Sequence, residues 1–508
     1  MKLNRLKFVL PFLCMLGVSG GGYFPDIIVE AAEKTPVRDN FYWLGQINKA
    51  TDVINTSEGL LTLEQGKTFA KGIQTVLDNG DKPGGKRPRV VITFEPLLID
   101  VAGPEITKLH AGRSSQDMLT TVSLVMQREE LLKLSQALEQ MRGTLIELAA
   151  KNEATIIPNY TNGVAAQPNS LGHYLLAYAD AFARDSQRLR DCYSRINRSP
   201  MGACVLNGTG WPLNRDRMAS YLGFDQIAYN TYDAGQVYPQ EAPIEIGGIT
   251  SGIAIHLTSI IEEIMQQYAQ PRPWILLEEG NGNTYVSSAM PQKRNPGILN
   301  SCRTQCGTIL GLATGAAFRA HNIPAGMADG RLRGTDEMLK NTRAAVLLFD
   351  RILKALKINP ERALEELNLD WTCSQEIADV LMSKYNLPFR TGHHFASEIV
   401  TYARSNNITP NDFSYADAQK VYAKLSAEDA NIPKVLPMSE EDFKAALNPV
   451  AIVQNRKVKG GPQAAEMKIM FAKARKDLDE SKSWTESAQA KIDRAEKKLN
   501  ADFAALLK

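Results

Sequence analysis

Cysteine is scarce in this chain, six residues in 508, and the few present do not form a pairing pattern. Cys14 lies in the apolar start. That leaves Cys192, Cys204, Cys302, Cys306 and Cys373, an odd and scattered set that excludes a disulfide framework. Cys302 and Cys306 fall one helical turn apart and read as buried thiols. No histidine and cysteine share the spacing of a zinc site, so no metal is expected. Aromatic residues make up only 7% of the chain and the net charge is +2, with no basic block between them. A nucleic-acid-binding surface is therefore not expected. The apolar run Phe8 to Val18 is too short for a membrane span. No internal repeat is visible, which argues against a solenoid.

What the first residues do have is the order of an export signal. Lys2, Arg5 and Lys7 precede the apolar run, and the small residues Ser19 to Gly22 follow it. Residues 1–32 are expected to be a signal peptide, cut after Gly20 or near Ala31 and Ala32, so that the protein is exported, to a periplasm for example. Five unpaired thiols fit the alternative, a cytoplasmic protein, better.

Most of the remaining length has helical periodicity. Residues 33–113 form a mostly helical N-terminal domain, interrupted by an exposed turn from Asp81 to Pro88. Val90-Val91-Ile92 suggests a short strand. From Ser114, where Asp117 completes a capping box, Met118, Val122, Val125, Leu132, Leu138, Met141, Leu145 and Leu148 recur at helical steps. Further long helices are expected over residues 171–196, 246–268, 298–318 and 338–356. The third is apolar nearly all round, as a helix buried on every side would be. Five such helices predict a bundle in a central domain, residues 114–360. A C-terminal helical domain, residues 361–508, ends in a long helix from Met467 to Leu507, read as solvated because it is rich in Ala, Lys and Glu.

One stretch carries chemistry. Thr284-Tyr285-Val286-Ser287-Ser288-Ala289-Met290-Pro291-Gln292-Lys293-Arg294-Asn295-Pro296 follows a Gly- and Asn-rich run and precedes the fourth long helix. Prolines stiffen it, and the glycines ahead of it free the backbone. A hydroxyl, an ammonium and an amide donor in one loop suit removal of a proton next to a carboxylate, with fixed charge to stabilise the resulting dianion. Read without that chemistry, it is a polar loop capping a helix. His110-Ala111-Gly112-Arg113-Ser114-Ser115-Gln116-Asp117 gathers a guanidinium and hydroxyls at a helix N-terminus, where amides and the helix dipole favour an anion. A third block, Pro158 to Pro168, lies between the first two long helices.

The loop resembles the Gly-Ser-Ser-x-Met-Pro-x-Lys-x-Asn-Pro segment of the fumarase/aspartase superfamily, and its Met-Pro-Gln-Lys-Arg-Asn-Pro wording is most similar to the argininosuccinate lyase branch. The second block is similar to that branch's His-Thr-Gly-Arg-Ser-Arg-Asn-Asp. The third is similar to its Tyr-Thr-His-Leu-Gln-x-Ala-Gln-Pro. The likeness runs from about Phe41 to Gly461 and takes in Asn214-Arg215-Asp216 and Leu387-Pro388-Phe389-Arg390. It extends to the subgroup that cleaves aminopolycarboxylates such as ethylenediaminedisuccinate.

The resemblance implies an all-α fold of three domains, whose long central helices form a twenty-helix core in a homotetramer with sites shared between subunits. It implies elimination of an amine from an N-substituted aspartate, argininosuccinate or another N-succinyl amine, to give fumarate, with no cofactor. Ser287 would be the base, and Lys293 and Asn295 would stabilise the dianion. Arg113, Ser114, Thr161 and Gln167 would hold carboxylates. Ser288 and Met290 would line the site, with Gln116, Asn162 and His321 nearer the amine.

Several positions depart from the pattern. Val286 replaces a glycine and is expected to restrict the turn. Ser115 replaces an arginine, Gln116 an asparagine, and His321, beside Asn322, a tyrosine. The family's histidine is Asn162, and its carboxylate partner is Asn300, so neither can act as a general acid at neutral pH. His173 reads as a packed helix residue. The alternative is a silent relative that binds a ligand or serves as a structural oligomer.

Overall fold

The computed structural model describes residues 37–330, 334–428 and 432–508. The expected signal peptide lies outside the described residues.

The N-terminal region holds α1 (Asn40–Ser57), α2 (Leu63–Asp81) and α3 (Val91–Ala102). Val90 is the N-cap of α3, so Val90 to Ile92 enter a helix and not the expected strand. Three β-branched residues make no strand without a partner to pair with.

The central helices are α4 (Ser115–Lys151), α5 (Leu171–Ile196), α7 (Tyr238–Gln267), α8 (Gly297–Ala320) and α9 (Thr335–Ala355), with the short α6 (Arg215–Tyr221) between the second and third. Val122, Leu131, Leu138 and Leu145 of α4 are buried with Phe182 and Leu189 of α5, Ile253 and Leu257 of α7, and Phe349 of α9. Each such side chain contributes about 1.5–3 kcal/mol on leaving water. Within the single chain α4 is the helix buried on most sides. Helices α1, α5, α9 and the long C-terminal helix, residues 464–506, pack on α4. In contrast, Ile244 and Ile255 of α7 are exposed. By length and composition α7 is apolar enough to cross a bilayer, yet it packs along α5, α8 and α9.

Among the described residues, four small two-stranded sheets punctuate the helices. β1 (Ile156–Thr161) pairs antiparallel with β2 (Val164–Ser170), and β3 (Arg198–Ser199) pairs parallel with β4 (Gln226–Ile227). β5 (Ile275–Leu277) pairs with β8 (Leu356–Ile358), and β6 (Tyr285–Val286) with β7 (Arg294–Asn295).

Beyond α10 (Pro360–Leu369), a second core gathers Trp371, Ile377, Leu381, Phe395, Ile399, Tyr422 and Phe443. They come largely from α11 (Ser374–Tyr385), α12 (Phe389–Ser405), α13 (Tyr415–Glu428) and α14 (Glu440–Ala446), which α15 (Pro449–Asn455) follows. The last helix, α16 (Ala464–Leu506), does not join this core. Its Met467, Phe471, Leu478, Ile492, Leu499 and Phe503 are buried against the central helices and α1. It is not the expected solvated helix. A narrow apolar stripe among the charges is enough to seat it on the bundle.

Candidate active site

At the start of α4 the backbone turns through Gly112, at φ +64°, where a Cβ would meet Leu213 at 2.6 Å. Ser114 then caps the helix. Its hydroxyl accepts from the Asp117 N–H, and Asp117 Oδ1 accepts from the Ser114 N–H at 2.8 Å. The other Asp117 oxygen accepts from the amides of Gly202 at 3.2 Å and Cys204 at 3.1 Å. Asp117 is fully buried, and that burial pushes its pKa up while the amides oppose the shift. It ties the 200–208 loop to the helix start, a role that sequence reading missed beyond the cap.

Arg113 does not face a binding cleft. It is 6% exposed, and its guanidinium donates to Asn48 Oδ1 at 3.1 Å and Thr51 Oγ1 at 3.0 Å on α1. Burial lowers its pKa to about 10. The cavity beside it, about 30 Å³ among Thr51, Asn55, Met201 and Arg215, has room for water but not for a succinyl group. Within the chain Arg113 fastens α1 to α4. Ser114, Ser115 and Gln116 remain half-buried at the helix start. Gln116 donates to the Gly235 carbonyl at 2.5 Å, from the π-helical turn Asp233–Val237 that leads into α7.

The third block is a β-hairpin. Asn162 and Gly163 take φ of +52° and +76°, the left-handed pair that a two-residue hairpin turn requires. Asn-Gly between two extended segments is a strong hairpin signal, which the sequence reading of this block did not use. Thr161, Asn162 and Gln167 are exposed there. Gln167 donates to Gln375 at 2.7 Å. Tyr160 anchors the base: its hydroxyl accepts from Gln267 at 3.0 Å and Trp274 at 3.2 Å and donates to Glu366 at 2.5 Å.

The loop is a second hairpin. Tyr285 stands opposite Asn295, and Val286 opposite Arg294. The pairing continues, for the Ser287 N–H donates to the Lys293 carbonyl at 3.1 Å. Side chains alternate along strands, so Tyr285, Ser287, Lys293 and Asn295 share one face and Val286 and Arg294 take the other. Val286 thus sits in extended backbone that suits a β-branched residue. The expected restriction of a tight turn does not arise. Ser287 Oγ accepts from the Met290 N–H at 3.2 Å and the Ala289 N–H at 3.4 Å. Hydrogen bonds to an oxygen favour its anionic form. Ser288, Met290 and Lys293 are exposed at the tip, and Asn300 is half-buried in the first turn of α8.

These parts lie at two ends of the bundle. Arg351 holds the carbonyl of Asn281 just before the loop, and the neighbouring Asp350 accepts from Gln140 and Thr144 in the last third of α4. The loop and the 156–170 hairpin are therefore at the C-terminal end of α4. Arg113, Ser114 and Gln116 are at its other end, and the 25 residues from Ser115 to Gln140 span about 38 Å of helix between them and the loop. His321 caps the far end of α8, about 36 Å from the loop along 24 residues. Ala325 just beyond it accepts from Gln240 at the start of α7, near the Gln116 contact. The chain brings Ser287, Lys293 and Asn295 together, but it does not bring them to Ser114, Gln116 or His321. His173 is a helix residue whose ring meets the Gly460 carbonyl at 3.0 Å. The five described thiols are unpaired.

Comparison with known proteins bears on the family. A family model described as lyase matches residues 98–311, and one described as argininosuccinate lyase C-terminal matches residues 371–454. The argininosuccinate lyase of Methanoculleus marisnigri is 30% identical over 402 residues, 78% of this chain and 79% of that protein. That of Methanosarcina mazei is 29% identical over 446 residues, 86% of this chain and 88% of that protein. Among solved structures, EDDS lyase in complex with formate superposes with a TM-score of 0.84 at 26% identity, covering 92% of each chain, and a double variant of it is known with bound fumarate. The chain belongs to the argininosuccinate lyase branch of the fumarase/aspartase superfamily and is a carbon–nitrogen lyase.

Proposed function

We propose that this lyase eliminates an amine from an N-substituted aspartate and releases fumarate, with Ser287 as the base. The observation that carries the reading is the β6–β7 hairpin. It presents a hydroxyl oxygen already held by two backbone N–H groups on the same face as an ammonium and an amide donor. As the alkoxide, Ser287 takes the proton from the carbon next to the carboxylate. Lys293 and Asn295 stabilise the aci-carboxylate that forms, and collapse of that intermediate expels the amine. Sequestered dipoles and one fixed cation supply the charge stabilisation, so the scheme needs no metal or organic cofactor.

Ser114 and Gln116, with the first amides of α4, and Thr161 and Gln167 on the other hairpin, are the donors for the two succinyl carboxylates. Ser288 and Met290 flank the reacting carbon, and Asn162 and His321 lie toward the amine. Because about 38 Å of α4 lies between Ser114 and the Ser287 loop, a complete site is assembled from several copies of the chain, in a homotetramer. Ser115, Gln116 and His321 favour an N-succinyl amine other than argininosuccinate, and the basic and apolar start of the chain favours an exported enzyme. The test is fumarate release, followed by its ultraviolet absorbance, from a panel of N-succinyl amines that includes argininosuccinate. No fumarate from any of them, and no adduct from fumarate plus amines, defeats the proposal.

A further inference from the structure

The elimination leaves one proton unassigned. The amine departs with the electron pair of the C–N bond, while Asn162 and Asn300 are amides with no acidic proton to give. The face of the catalytic hairpin carries a fourth side chain. Tyr285 stands directly opposite Asn295 and two residues before Ser287, so the three project from one side. Asn295 Nδ2 donates to the Tyr285 carbonyl at 3.4 Å, which ties the two positions together. The Tyr285 ring lies over Gly297 in the first turn of α8, where a Cβ would come within 3.0 Å of ring Cδ1. Glycine at 297 is what leaves the ring its place. The side chain is 57% exposed, and its hydroxyl has no hydrogen-bond partner among the described residues.

Other acids near the loop are engaged. Glu279 pairs with Arg294 at 2.9 Å and Glu278 with Lys357 at 3.2 Å.

We infer that Tyr285 is the general acid of this site and gives its phenolic proton to the departing nitrogen. This rests on the elimination reading above. The Ser287 alkoxide takes the Cβ proton, and the electron pair of the aci-carboxylate becomes the new carbon–carbon double bond. The C–N bonding pair goes to nitrogen, where the Tyr285 proton joins it. The products are fumarate and a neutral amine. The phenolate regains a proton from water, and Ser287 returns its own to water.

The experiment uses the full-length protein and the N-succinyl amine it cleaves fastest. Tyr285→Phe is expected to lower kcat on the order of 10²-fold or more, with unchanged melting temperature. Fluorinated tyrosines placed at position 285 keep the ring and lower its pKa. They are expected to move the alkaline limb of the kcat profile toward acid in step with fluorine content. A loss below about threefold in Tyr285→Phe, or a limb that stays fixed across the fluorinated series, overturns the assignment. If the unmodified protein releases no fumarate from any N-succinyl amine, the elimination reading itself falls and the role of Tyr285 with it.

Discussion

Ser287 and Lys293 are joined across the β6–β7 hairpin, the backbone N–H of the serine donating to the carbonyl of the lysine at 3.1 Å. The bond fixes which residues share a face. With the neighbouring pair Tyr285–Asn295, it turns a stretch of mixed residues into one chemical surface. The Lys293 side chain is exposed, and its ammonium has no hydrogen-bond or ion-pair partner among the described residues. Lys293→Met is therefore expected to lower kcat by about 10²–10³-fold, the usual cost of losing one group that stabilises a developing negative charge. Thermal unfolding should be unaffected, and a comparable loss of melting temperature would mean that the lysine supports the loop instead.

Arg113 is expected to behave as part of the framework. Removing it leaves Asn48 and Thr51 of α1 without their donor. Arg113→Met should cost about 1–3 kcal/mol of stability, measured by denaturant unfolding. Any activity left at low temperature should show a near-normal KM. A large rise in KM with stability intact would restore Arg113 as a substrate ligand.

Asp52 gives a pH signature. Its carboxyl is fully buried and has a single long contact, from Thr56 at 3.5 Å; burial pushes its pKa up to about 8. The folded state then keeps the proton up to about pH 8, while the unfolded chain releases it near pH 4. Between those values the unfolded state binds fewer protons, so this group makes stability fall as pH rises, by about 1.4 kcal/mol per unit. Asp52→Asn should flatten that slope and gain most over the parent near pH 8. Parallel stability curves for the two proteins would refute it.

The separation of the site residues along α4 makes a prediction about mixtures. A Ser287→Ala chain and a Gln116→Ala chain each lack one part, but in a hybrid oligomer some sites draw both parts from intact copies. Mixing the two inactive proteins under conditions that exchange subunits should restore fumarate release. A mixture as inactive as its components argues that each site is built within one chain.

Much of this architecture was legible because helical periodicity reports directly on which face is buried. The limits of α5 read from sequence, residues 171–196, are those found. Helix α7 begins earlier than the apolar pattern suggests, at Tyr238, because Pro239 fits a first turn where its missing N–H costs nothing and Pro243 removes only one bond. Charge-rich α16 was misjudged: one apolar residue per turn or two is a weak signal in sequence but enough to bury a stripe. The hairpin that carries Ser287 was singled out through its residue types. Its register was not legible, since two-residue strands leave no periodicity, and so Tyr285 went unnoticed. The inward contacts of Arg113 were not legible, because a guanidinium beside a helix N-terminus reads alike whether it points out to an anion or in toward Asn48.

At the centre of this account is a single oxygen, that of Ser287, and the most direct measurement is the rate of fumarate release by Ser287→Ala against the parent protein. A fall of about 10²–10⁴-fold, with melting temperature and oligomeric size retained, is the predicted result. An unchanged rate would contradict the assignment of Ser287 as the base.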